Sequence, residues 1–120
     1  MKTNQLPGRL KELTTIVQER VPSEFAFILA HECRDKGRNF IHLTFGDGRH
    51  LLSVVITRRE KGESLGNGMR QAFRDHFHLA AFETSEFFVY MVSDLTAQAN
   101  ANVLAQVAPA VQKLLTNVEG

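Results

Sequence analysis

Five histidines and one cysteine are the residues of this 120-residue chain whose types could carry metal or redox chemistry. One residue separates His31 from Cys33, and one separates His76 from His78. If these segments are β-strands, each pair lies on one face of its sheet, because side chains alternate along a strand. Imidazole and thiolate are ligands that suit zinc, copper and haem iron. The spacing therefore makes a metal or haem site one interpretation.

A short turn predicts how a third residue joins the first pair. If residues 36–37 are the centre of a hairpin turn, His31 faces His42 and Cys33 faces Phe40 across the two strands. Directly paired residues have β-carbons about 4.5–5.5 Å apart. His76 and His78 join this cluster only if their strand lies alongside it. The full set of candidate metal ligands is then His31, Cys33, His42, His76 and His78.

Other interpretations of the same residues stay open. Cys33 could be a nucleophile with His42 as its base, but no orienting residue or oxyanion hole can be assigned to them. The sequence has no G-x-S-x-G motif and no phosphate-binding loop, so we expect no catalytic activity. Histidines also occur as plain polar residues on strand surfaces, and a lone cysteine is commonly a packed structural residue.

The elements that position these residues follow from hydrophobic periodicity. Residues 8–20 predict an amphipathic helix that ends before Pro22. Residues 96–118 predict a second helix, with Ser93 and Asp94 as its cap and Pro109 as a kink or break. Five strands and one polar, glycine-rich mobile loop are predicted between the helices. The strands are residues 25–33, 40–45, 51–57, 74–82 and 86–92, and the loop is residues 58–69.

This order, α-β-β-β-β-β-α, predicts a single α+β domain over residues 1–120. Consecutive strands favour a mainly antiparallel meander, and two amphipathic helices could cover one face of it. We expect Phe25, Phe27 and Leu29 to share a face. Phe87 and Phe88 must point to opposite faces, so the face without helices is partly apolar. That face could contact a protein partner, a ligand or a second copy in a homodimer. Pairing between edge strands is another route to a homodimer.

Composition excludes several classes of protein. A hydrophobic content of 43% with a formal net charge of +1 is untypical of a disordered chain. Nucleic-acid binding usually requires a larger basic excess, so we expect no nucleic-acid partner. No apolar run approaches the roughly 20 residues of a membrane span, and the N-terminal residues lack an export signal. We expect a cytoplasmic protein, or an extracytoplasmic one if the chain belongs to a larger membrane-anchored protein.

Two stretches resemble the sensor domain of transmembrane anti-sigma factors. Residues 40–57, FIHLTFGDGRHLLSVVIT, are similar to that family's paired strands. Residues 88–95, FVYMVSDL, precede an alanine-rich segment and are similar to its final strand and the start of its last helix. In the resemblance, Ser93, Asp94 and Leu95 are structural residues at this junction. The spacing of His31 and Cys33 differs from the zinc motif of the family's sigma-binding domain, so no metal ligand is carried over.

The resemblance implies an extracytoplasmic sensing domain in a system that restrains a sigma factor. The family's cytoplasmic sigma-binding domain and membrane helix have no counterpart in this sequence. We therefore expect a non-catalytic regulatory sensor or interaction domain. Its signal would act on the sheet face with His31, Cys33 and His42, or on the loop 58–69. The alternative is a metal- or haem-binding protein.

Overall fold

The computed structural model describes residues 10–60, 62–64, 70–84 and 87–119. Within them the sheet is antiparallel throughout, and its strand order is β1-β2-β3-β6-β5-β4. The elements are α1 (Leu10–Arg20), β1 (Ala26–Asp35), β2 (Arg38–Gly46), β3 (Leu51–Arg58), β4 (Arg70–Arg74), β5 (Phe77–Glu83), β6 (Phe87–Ser93) and α2 (Ala97–Glu119).

The α+β class with two helices and an antiparallel sheet is confirmed, but the prediction of five strands is wrong, because the described residues form six. Residues 74–82 are not one strand, since Asp75 and His76 make a tight turn between β4 and β5. Both have positive φ, 54° and 71°, a conformation usually supplied by glycine or asparagine. The sheet is also not one meander. It consists of two three-stranded meanders joined where β3 pairs with β6.

Both helices pack on the same face of the sheet, as predicted, and we call this the inner face. Leu13 and Val17, one helical turn apart, are the fully buried residues of α1. The core residues of α2 repeat with the same spacing, and the sheet adds alternate residues from its central strands. This shared core includes Val103, Leu104, Val107, Val111, Leu115, Ile41, Leu43, Phe45, Leu52, Val54, Ile56, Val89 and Met91.

A glutamine fixes α1 against the start of β1. The Gln18 side-chain amide donates to the Phe25 carbonyl at 2.8 Å and accepts from the Phe27 backbone N–H at 3.0 Å. The helix ends where expected, since Val21 still bonds the Val17 carbonyl and Pro22 follows it. Residues 8 and 9, the predicted start of this helix, lie outside the described residues.

A β-bulge in β1 corrects one predicted face. The register shifts between Phe27, which pairs with Phe45, and Leu29, which pairs with Thr44. Ile28 is the additional residue, and one inserted residue moves every later side chain to the opposite face. Phe27 therefore contacts the buried Phe45 ring, at 5.9 Å between centroids, while Leu29 lies on the other face.

The start of α2 also differs from the prediction. Thr96, not Ser93 or Asp94, caps the helix, because its hydroxyl accepts the Ala99 backbone N–H at 3.1 Å. Ser93 is buried and donates instead to the Asn100 side chain at 2.7 Å. Pro109 does not divide the helix, which continues from Ala97 to Glu119.

Candidate functional site: the outer face of the sheet

The face of the sheet opposite the helices, here called the outer face, consists of three cross-strand rows. The strand register places side chains from five neighbouring strands in each row. The middle row is His31, His42, Val55, Tyr90 and Ala81; its neighbours are Cys33, Phe40, Thr57, Phe88 and Glu83, and Leu29, Thr44, Ser53, Val92 and Leu79. Most of these residues are half-buried, although no helix among the described residues packs over them.

The predicted pairing of His31 with His42, and of Cys33 with Phe40, is confirmed. The two-residue turn at Lys36 and Gly37 sets this register, and both turn residues have the positive φ of a tight hairpin. The imidazole rings of His31 and His42 are stacked, with centroids 5.0 Å apart and planes 19° apart. Cys33 is partly exposed on the same face.

Electrostatics couple the two imidazoles. Burial lowers the pKa of His42 from its ordinary value, and the positive charge that His31 can carry lowers it further. Both effects disfavour a second proton on the stack. His42 therefore favours its neutral form, whose unprotonated ring nitrogen can accept a hydrogen bond or bind a cation.

The structure does not bring the other two histidines to this cluster. His76 lies in the β4–β5 turn, and His78 pairs with Ser93, so its side chain belongs to the inner face. Strands β3 and β6 separate β5 from β2, a distance of about 14 Å at the usual strand spacing. Within the part of the chain that the structure describes, no group of three or more His, Cys, Asp or Glu side chains is arranged to hold a metal ion.

A charged cluster closes one end of the outer face. Arg38 forms ion pairs with Glu63 and, at 3.6 Å, with Glu60. Arg59 forms an ion pair with Glu83 at 3.2 Å and donates to the backbone carbonyls of Thr84 and Glu63. These contacts hold residues 59–64, as far as they are described, across the strand ends. This part of the predicted mobile loop is therefore anchored, and Lys61 and residues 65–69 lie outside the described residues.

The charged cluster also covers aromatic residues of the outer face. The Arg59 guanidinium lies 5.7 Å from the centre of the Phe88 ring, which is only 4% exposed. The neighbouring Tyr90 remains half-exposed, and burial raises the pKa of its phenol. The open part of the outer face is therefore the stretch from His31 to Tyr90, with the charged cluster along one side.

Sequence reasoning missed a second polar arrangement, at the opposite strand ends. His50 Nδ1 lies 3.2 Å from the Asp94 carboxylate, which also accepts the Leu51 backbone N–H at 3.1 Å. Asp47 accepts backbone N–H bonds from Arg49 and His50, and these bonds lower its pKa. The Gly46-Asp47-Gly48 turn was the available signal. This turn predicts the hairpin, but no local sequence feature predicts that His50 contacts Asp94, which is 44 positions away.

This arrangement borders an open cleft of about 410 Å³, lined by residues that include Ile28, Arg49 and Leu51. The Asp94 bonds tie the first residue of β3 to the end of β6. They therefore give Asp94 a structural role.

Comparison with protein-family models, curated proteins and solved structures gives no match for this chain. Neither helix within the described residues is long and apolar enough to cross a membrane.

Proposed function

We propose that this chain is a non-catalytic regulatory sensor or interaction domain, of the kind found in transmembrane anti-sigma factors, and that it binds a protein partner through its outer face. The observation that carries the proposal is the open stretch from His31 to Tyr90. Half-buried apolar and aromatic side chains lie there without a covering element among the described residues. Such patches, bordered by polar groups, are typical of protein contacts.

The chemistry of the outer face favours binding over catalysis. His42 lies diagonal to Cys33, since their direct partners are His31 and Phe40. Neither the cysteine nor the histidine pair has a described hydrogen-bonded residue that would orient it for proton transfer. The stacked imidazoles instead provide groups that can take up a proton or accept a hydrogen bond, which suits a sensing surface.

The proposal is tested by a two-hybrid assay of this chain against whichever sigma factors and other regulatory proteins are encoded beside its gene. Val55 lies at the centre of the middle row, between His42 and Tyr90. We expect Val55→Arg to abolish an interaction that the wild-type chain makes, because it places a charge in an apolar contact. Gln112→Arg, on the exposed side of α2, adds the same charge elsewhere and should keep the interaction.

Two results would count against this proposal. One is the absence of any interaction with the neighbouring regulatory proteins. The other is an interaction that Val55→Arg leaves intact while the variant keeps the wild-type circular dichroism spectrum.

A second candidate function is the binding of a zinc or copper ion by the histidine pair, with Cys33 nearby. The stacked rings, 5.0 Å apart, are the observation that favours it. Elemental analysis and absorption spectra of the native protein and a His31→Ala/Cys33→Ala variant provide the test. Stoichiometric metal that is lost in the variant would support the site. A metal-free native protein after loading with zinc and copper would exclude it.

A further inference from the structure

Strand β1 forms one edge of the sheet, and only its β2 side is paired among the described strands. Its ten residues make it the longest strand described, whereas β4 at the other edge has five. An edge strand presents a row of unpaired backbone N–H and C=O groups that another strand can bond. The second half of β1, His31 to Asp35, carries most of its polar side chains, and four of those five residues are exposed.

The charges of this half-strand are arranged symmetrically about Cys33. Glu32 and Arg34 flank the cysteine on the inner side of the strand, and His31 and Asp35 lie two positions from it on the outer side. An antiparallel alignment of the segment with itself, centred on Cys33, therefore sets Glu32 opposite Arg34 twice. It also sets His31 opposite Asp35 twice, so every acidic side chain faces a hydrogen-bond donor.

We propose that this chain forms a symmetric homodimer in which β1 pairs antiparallel with β1 of a second copy, centred on Cys33. A two-fold contact requires a surface that is complementary to itself, and the charge arrangement of β1 meets that requirement. The two sheets join into one twelve-stranded sheet with all four helices on the same side. The dimer does not depend on which partner binds the outer face.

Neighbouring alignments that keep the helices on one side are worse. Moving the centre from Cys33 to Glu32 sets the two Glu32 side chains opposite each other, and moving it to Arg34 does the same for the two arginines. Like charges directly opposite are destabilising, while opposite charges contribute favourably. Among these three alignments, charge complementarity favours the one that is centred on Cys33.

The backbone geometry fits the same alignment. The tight turn at residues 36–37 makes Asp35 and Arg38 a hydrogen-bonded pair, so residues 33 and 31 also direct their backbone groups toward β2. Glu32 and Arg34 then direct theirs toward the free edge, where they bond each other across the dimer. The Cys33 residues of the two copies then form a non-hydrogen-bonded pair, which is the pair type with the closer side chains.

Charge reversal tests the proposal by sedimentation equilibrium. With only five facing pairs, we expect a weak dimer that populates at high protein concentration. Glu32→Lys or Arg34→Glu alone should raise the dimer dissociation constant about tenfold, since two attractive pairs become repulsive. The double variant, Glu32→Lys with Arg34→Glu, restores opposite charges and should return the constant to near the wild-type value. Glu24→Lys, exposed but outside the strand, is the matched control.

Disulfide trapping tests the alignment through Cys33, which is present in the wild-type chain. With dipyridyl disulfide, one Cys33 thiol displaces a thiopyridone, and the second copy's thiol displaces the other to form the disulfide. Facing cysteines in such a pair lie within disulfide distance. In a Cys33→Ser/Asp35→Cys variant the two thiols lie about 13 Å apart, four residues along the strands. We expect its disulfide dimer to form at least about tenfold more slowly.

Three results would each overturn the dimer. They are a wild-type chain that stays monomeric at about 1 mM, a charge-reversed pair that fails to restore the dimer that its single variants lose, and equal trapping rates for cysteines at 33 and 35. None of these results bears on the proposed function, which the Val55→Arg comparison tests.

Discussion

His31 and His42 share one stack but have different surroundings. His31 is exposed on the edge strand, whereas His42 is half-buried on the second strand. Because His31 is exposed, a proton, a cation or the carboxylate of a partner can reach this pair from the outer face. The proposed sensing role can therefore be tested at this pair of residues.

We expect His42 to titrate below the usual pKa of histidine. Removing the charge of its neighbour with His31→Ala should raise the pKa of His42 partway, because burial, the larger cause, remains. His76→Ala, in a turn across the sheet, should leave it unchanged. Proton NMR titration of the ring resonances measures the pKa of His42 in the wild-type chain and in both variants. A pKa of His42 at the ordinary value in the wild-type chain would contradict the burial argument.

The same shift makes stability depend on pH. A histidine whose pKa is lowered on folding binds its proton more readily when unfolded, so the folded state is favoured above the unfolded pKa. We expect the free energy of unfolding to fall as pH drops below about 6.5, the ordinary pKa of histidine, and to level off once His42 is also protonated in the folded state. Urea unfolding of wild type and His42→Gln measures this slope, which should be shallower in the variant. Equal slopes would show that other groups cause it.

The pairing of His31 with His42 was predictable because a two-residue turn fixes the register of a hairpin. The position of His78 was not. It depends on β3 pairing with β6 across more than 30 residues, and no local sequence feature specifies that contact. The hydrogen bond between His50 and Asp94 was missed for the same reason.

At the scale of elements, one buried amide joins α2 to the sheet. The Asn100 side chain is 1% exposed, donates to the carbonyls of His78 and Met91, and accepts the Ser93 hydroxyl. It therefore connects two strands and the helix at a single point. This network explains why Ser93 does not cap the helix and why Thr96 does.

We expect Asn100→Ala to lower the free energy of unfolding by about 3 kcal/mol, because it leaves several buried polar groups without partners. Asn102→Ala removes the same side chain from the exposed side of α2 and should change stability by less than about 0.5 kcal/mol. Urea unfolding of both variants provides the comparison. Similar losses for the two would refute the structural role of the buried amide.

Pro109 lies within α2 without ending it, on the exposed side of the helix. Proline removes one backbone hydrogen bond and crowds the preceding turn. Pro109→Ala should therefore raise the free energy of unfolding by about 1–3 kcal/mol. Gln112→Ala exchanges two good helix formers and should change it little. A less stable Pro109→Ala variant would mean that the proline has a packing role.

The strand count shows what limits prediction at this scale. Turns at residues 36–37 and 46–48 contain glycine, which marks them in the sequence. The turn at Asp75 and His76 contains none, although both residues adopt positive φ. Local composition therefore favours one long strand over residues 74–82. In the structure, the pairing of β4 with β5 requires a turn within this segment. The bulge at Ile28 is hidden in the same way, since its neighbours are uniformly apolar.

At the scale of the whole molecule, the fold is one-sided. Both helices and the main core lie on the inner face, while the outer face carries the histidine pair, Tyr90 and a border of ion pairs. A sheet with one face packed and one face free is common in antiparallel folds, but the free face is then usually polar. Apolar residues such as Val55, Val92 and Leu79 depart from that alternation, which favours a binding surface there.

The most direct test of this account is a methyl-labelled NMR spectrum of the chain, recorded while the regulatory partner identified by two-hybrid assay is added. Val55 and Val92 report the outer face, and Val54 and Val107 report the inner core. We expect the methyl signals of Val55 and Val92 to shift or broaden first, while those of Val54 and Val107 stay near their free positions. Changes confined to the helices and the inner core, with Val55 unaffected, would contradict it.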